Sequence, residues 1–155
     1  MNIQERYNEV KRFNEIGGNL HDVTLEKLEA QMKVFIEESK ETADAFTNKD
    51  SVELLDGICD SFVTLAGLMQ MAERMGFEVN EALQRVNQNN LSKFPHGVID
   101  ENDYAVYQRQ GWEVDYHTGY NCCVIKDANL KIRKPLGFKS VQINDLAPNI
   151  FGVAA

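Results

Sequence analysis

From Ile3 to Leu91 the apolar residues recur at helical spacing. Ile3, Tyr7, Val10 and Phe13 stand three or four positions apart in a segment, Ile3 to Ile16, that Gly17-Gly18 would close. Leu25, Leu28, Met32, Phe35 and Ile36 form a stripe on a second segment, Leu25 to Phe46, with Thr24 as its N-cap and Glu26 and Glu29 in the first turns. A third begins at Asp50 or Ser51, with Asp50 and Glu53 at capping-box spacing, and ends at Met75 before Gly76. Leu54, Leu55, Ile58, Phe62, Leu65, Leu68, Met69 and Ala72 cover more than one face of it, which predicts a place at the centre of a bundle or in a subunit interface. Asn80 to Leu91, with Ala82, Leu83 and Val86, is a fourth, with Asn80 as its cap.

The texture changes at Pro95-His96-Gly97, and all three prolines lie from here on. Tyr104 and Tyr107 suit a short helical turn before Gly111. Cys122 to Lys126 and Leu130 to Arg133 flank Asp127-Ala128-Asn129, which predicts a hairpin with Asn129 in the left-handed conformation and Pro135 ending its second strand. The pattern predicts an all-α helical bundle over residues 1–94 and a C-terminal extension, 95–155, with a small β-hairpin packed on the same domain.

The 155 residues and 43% apolar content suffice for one core. The net charge is −8, from 24 acids and 16 bases, which argues against binding nucleic-acid polymers or anionic membrane, since both reward a basic face. Cys59, Cys122 and Cys123 are odd in number and lack CxxC spacing, so the expectation is free thiols in a reducing cytosol. The N-terminus lacks a signal-peptide profile, and the apolar run Phe62 to Ala72 is too short to span a bilayer. A soluble, cytoplasmic protein is expected.

Locating the acid changes its meaning. Glu37 to Asp60 holds Glu37, Glu38, Glu41, Asp44, Asp50, Glu53, Asp56 and Asp60 against only Lys40 and Lys49. On the second helix Glu37 and Glu41 lie about 40° apart, as do Asp56 and Asp60 on the third. A short connection makes the helices antiparallel neighbours, so the two acidic lines can face each other. Such massing is unfavourable without a cation between, and hard Mg²⁺ or Mn²⁺ suits oxygen ligands. A solvated acidic face is the plain alternative. Against it stands the interleaving of Asp56 and Asp60 with Leu54, Leu55, Ile58 and Phe62.

Glu37-Glu38-Ser39-Lys40-Glu41 followed by Glu53-Leu54-Leu55-Asp56 resembles the EExxE…ExxD motif of the all-α nucleoside triphosphate pyrophosphatases. Asp56-Gly57-Ile58-Cys59-Asp60, Asn89 to Phe94 and Lys126 to Pro135 are similar to three further stretches of their MazG-like, phosphoribosyl-ATP pyrophosphohydrolase-like phage and bacterial branch. Asn129-Leu130 stands where that branch commonly has a glycine, and Arg85 where an acid is common. The resemblance implies a MazG-like bundle, a homodimer or homotetramer, in the cytoplasm of a bacterium or phage-infected cell. It implies Mg²⁺-dependent cleavage of the α–β phosphate bond of an NTP or dNTP, giving monophosphate and pyrophosphate. Carried over by position, Glu38, Glu41, Glu53 and Asp56 would be metal ligands, with Asp60 a further one. Glu37 would be another ligand or would orient the attacking water, and Glu37 or Glu38 would take its proton. Asn90 and Lys93 would contact nucleotide or phosphate, and Lys131 and Lys134 would belong to a basic segment closing over the triphosphate. Trp112, Tyr104 and Asn90 are candidates for holding the base, while His21, His96 and His117 form no ligand spacing. The rivals are a non-catalytic helical module whose acidic face binds a basic protein, and a hydrolase of another phosphoanhydride such as a nucleoside diphosphate or sugar nucleotide.

Overall fold

The computed structural model describes residues 2–152. Five α-helices dominate: α1 (Ile3–Ile16), α2 (Leu25–Thr47), α3 (Ser51–Arg74), α4 (Val79–Leu91) and α5 (Glu101–Arg109). One two-stranded antiparallel sheet joins β1 (Glu113–His117) to β2 (Cys122–Lys126). Among the described residues no helix is long and apolar enough to cross a membrane.

Two compact units result, residues 1–79 with 145–155, and residues 80–144. Compactness divides the chain at the first residue of α4, and Asp145 onward belongs to the first unit, where Glu78 N–H donates to the Leu146 carbonyl at 3.0 Å. The first unit carries 17 acids against 8 bases, and the second 7 against 8.

In the first unit the helix ends follow the sequence closely. Asn2, Thr24 and Asp50 cap α1, α2 and α3, each accepting from a backbone N–H of its helix's first turn. Asp50 Oδ1 takes the N–H of both Val52 and Glu53, but the Asp50 N–H donates to the Ala45 carbonyl, so only one arm of the predicted capping box forms. Gly18 (φ +75°) and Gly76 (φ +92°) end α1 and α3 in the left-handed conformation. At the end of α2 that position falls to Lys49 (φ +59°), where Asp50 N–H to Ala45 O and Lys49 N–H to Phe46 O complete the same motif at the steric cost of a side chain.

The long helices α2 and α3 meet along small residues. Thr42 Oγ1 lies 3.2 Å from Ser61 Oγ, while Gln31 Nε2 donates to the Thr64 carbonyl at 2.9 Å. The lower residue of α2 faces the higher of α3, so the pair is antiparallel. Gly57, Ser61, Thr64 and Gly67 form the stripe on α3 that lets the backbones approach. A Cβ at Gly57 would stand 3.0 Å from Thr42 Cα, and one at Gly67 2.7 Å from Gln31 Nε2. α1 closes the unit through a buried polar bridge: Gln70 accepts from Asn14 Nδ2 at 3.1 Å and donates to the Tyr7 carbonyl at 3.2 Å. Both amides are paired, as buried polar groups require.

The second unit departs from expectation. Cys122–Lys126 takes the upstream strand β1 as its full partner, in the register Val114↔Ile125 and His117↔Cys122, and meets the predicted mate, Leu130 to Arg133, only through Asp127 N–H to Lys131 O at 3.0 Å and Arg133 N–H to Ile125 O at 2.8 Å. Downstream only the single bridge Lys126↔Ile132 forms. The reason is local. Asp127 Oδ1 captures the N–H of Asn129 and of Lys131, each at 2.9 Å, and its carboxylate pairs with Arg133. The chain is thereby bound into a loop, with Leu130 (φ +62°), not Asn129, in the left-handed conformation. These donors, the Lys131 N–H first, hold the Asp127 carboxyl below the usual range. Arg133 also lies over the Trp112 ring, 5.5 Å from its centroid, and Trp112 stacks on Tyr107. Tyr107 and Ile125 are the buried centre of this unit. In α4 the structure puts Asn80 inside the first turn, so it is not the cap.

Candidate functional site

Antiparallel α2 and α3 bring the acidic lines together at their crossing. Glu38 lies one turn before Thr42, which packs against Gly57 and Ser61, so on the antiparallel partner it stands nearer Asp60 than Asp56. Glu38 and Asp60 are half-buried, while Glu37, Glu41, Glu53 and Asp56 are exposed. Burial first, then the charges of Asp60, Glu41, Glu37 and Asp56 in that order, push the Glu38 carboxyl above its usual range. Carboxylates of both helices thus act on one group, and Glu38 is the focus. Glu53 is not among the charges that act on it.

Among the described residues, none of these six carboxylates is joined to a Lys or Arg in an ion pair. Nor is any group of three or more His, Cys, Asp and Glu side chains placed to hold a metal ion as it stands. The donor set itself is all hard oxygen, which fits Mg²⁺ or Mn²⁺ and fits soft metals poorly. The charge is also uncompensated, which is what a cation would relieve.

The other predicted site residues belong to the second unit. Asn90 and Lys93 come together at the end of α4, where Lys93 Nζ donates to Asn90 Oδ1 at 2.8 Å. Lys131 lends its backbone to the Asp127 loop and leaves its side chain exposed. Lys134 Nζ lies 5.1 Å from the centroid of the Phe138 ring. Arg85, set where the resembled branch has an acid, pairs with Glu81 at 2.8 Å. Trp112 is engaged by both Tyr107 and Arg133, which gives its ring a structural role. The Tyr104 hydroxyl accepts from Gln108 Nε2.

No family model, curated protein or solved structure matches this chain.

Proposed function

We propose that the protein is a Mg²⁺-dependent nucleotide pyrophosphohydrolase, cleaving the α–β phosphate bond of an NTP or dNTP. The observation that carries this reading is the convergence of unpaired carboxylates from two helices on half-buried Glu38. Glu38, Glu41, Glu53, Asp56 and Asp60 would hold the metal. Bound there, Mg²⁺ supplies charge neutralisation for the phosphate oxygens and acidifies water. Glu37 orients the attacking water, and Glu37 or Glu38 accepts its proton. Asn90 and Lys93 bind nucleotide or phosphate, and Lys131 and Lys134 add positive charge on the triphosphate.

Incubation with NTPs, dNTPs, phosphoribosyl-ATP, nucleoside diphosphates and sugar nucleotides, with Mg²⁺ and with chelator, tests the reading. Pyrophosphate and monophosphate are expected from at least one triphosphate in Mg²⁺ only. Silence across the panel would leave the acidic face as a docking surface for a basic partner.

The same reading includes self-association. Ile3, Val10, Phe13, Ile58, Phe62 and Val63 line an apolar groove of about 710 Å³ between α1 and α3. Phe13 is 67% exposed and Ile58 53%. Open apolar faces of this kind mark interfaces, and a second copy presents the same surface in return. Sedimentation is expected to show a dimer or tetramer that the I58E protein lacks. Since Ile58 is exposed, the substitution leaves the fold of the protomer intact. A wild-type protein that sediments as a monomer at micromolar concentration would refute the assembly.

A further inference from the structure

The two histidines His96 and His117 are 21 positions apart in sequence, yet they share one pocket. β2 brings them there. Cys122 pairs with His117 in the sheet and forms an isolated bridge with His96 on its other side. Residues directly opposite one another project to the same face, so the three side chains stand in a row. The pocket measures about 400 Å³, and Phe94, Leu91 and Val124 supply its apolar wall. Tyr120 forms an aromatic corner with His117, their ring centroids 5.0 Å apart and their planes inclined at 48°. Behind the lining, Asn121 Nδ2 lies 3.2 Å from His96 Nε2 and Asn121 Oδ1 accepts from the Tyr116 hydroxyl, which steadies the His96 ring.

From this geometry we propose that the pocket binds a planar heteroaromatic ring, a nucleobase. The volume lies at the lower end for small-molecule sites and is far too small for a helix. Apolar and aromatic walls with imidazole and phenol groups among them suit a ring that is flat on its faces and polar at its edge. Tyr120 is 79% exposed in the free protein, so its ring stands open to a stacking partner. A metal is the less favoured occupant. His, Cys and His form the row, but among the described residues no such group is placed to hold one, and the wall is mostly apolar.

The inference goes beyond the hydrolase reading, and its test uses no phosphate. The chain has three histidines, and His21 lies in the other unit with its side chain 82% exposed, a built-in reference. Imidazole C–H resonances are followed by NMR while adenosine, guanosine, cytidine or thymidine is added to the full-length protein without divalent metal. At least one nucleoside is expected to shift His96 and His117 and leave His21 in place. Tyr120→Ala, at an exposed ring, is expected to weaken that binding about tenfold. Three outcomes overturn the proposal: no shift at millimolar nucleoside, equal shifts of all three histidines, or shifts caused by Zn²⁺ but by no nucleoside. Pyrophosphate release does not enter the readout, so either proposal can fail alone.

Discussion

Glu38→Gln is expected to lower Mg²⁺-dependent pyrophosphate release by about 10²–10⁴-fold and, in chelator, to raise the melting temperature at neutral pH. Both effects come from one feature. Burial and four neighbouring carboxylates hold the Glu38 carboxyl above its usual range, so its ionised form is disfavoured in the folded state. With a raised folded value, the stability that Glu38 provides is complete below the ordinary carboxylate pKa. It is lost as pH rises from there through the raised value. The metal-free wild type should therefore lose stability over that interval, and the E38Q protein should lose less. Divalent metal reverses the order. A cation that binds only the folded state stabilises it by mass action, and the substitution removes a ligand. Thermal melts from acid to neutral pH, with and without Mg²⁺, combined with the pyrophosphate assay, provide the check. An E38Q protein that melts higher in chelator yet keeps full activity, with no metal-dependent gain in either protein, would establish the acidic face as a non-catalytic surface.

Gly57→Val should cost about 3 kcal/mol of stability and loosen the acidic site at the same time. A Cβ at this position would sit 2.6 Å from Thr42 Oγ1, 3.0 Å from Thr42 Cα and 3.2 Å from Thr42 Cβ. The hydroxyl can rotate away, but the α-carbon belongs to the helix and moves only with it. α2 and α3 must therefore separate beside Asp56 and Asp60, one turn from Glu38. Gly57→Ala should cost less, because about 1 kcal/mol of helix propensity offsets the strain. Denaturant melts give the stability. A carboxyl-carbon NMR titration of Glu38 gives the second effect, since moving the α3 carboxylates away should return its pKa towards the ordinary range. A valine variant with wild-type stability and an unchanged Glu38 titration would show that the contact is slack.

Local chemistry explains where prediction succeeded and where it failed. Thr24 and Asp50 are legible as caps because the hydrogen bond that makes a cap runs to a residue two or three positions away. The facing of the carboxylates is legible for a similar reason: helical period and a short connection suffice to bring α2 and α3 antiparallel. The strand partner of β2 was not legible. Leu130 to Arg133 looks like its mate, but Asp127 takes the N–H of Asn129 and of Lys131 on its own carboxylate and cuts that pairing to one bridge, while β1 occupies the other edge along its whole length. The engagement of Trp112 by Arg133 and Tyr107 was not legible either, because both contacts join residues that no regular helical or strand spacing relates.

By itself, the sequence determined the helices, their ends and the concentration of acid on two of them, since each depends on spacing within a few turns. Only the tertiary structure decided three other matters. It made Glu38 the focus of the acidic lines, because side-chain burial at a helix crossing has no local signal. It set Gly57 against the backbone of α2 at Thr42, and Gly67 against the Gln31 side chain. And it gathered His96 and His117 into one pocket, because strand register joins residues that no local spacing relates.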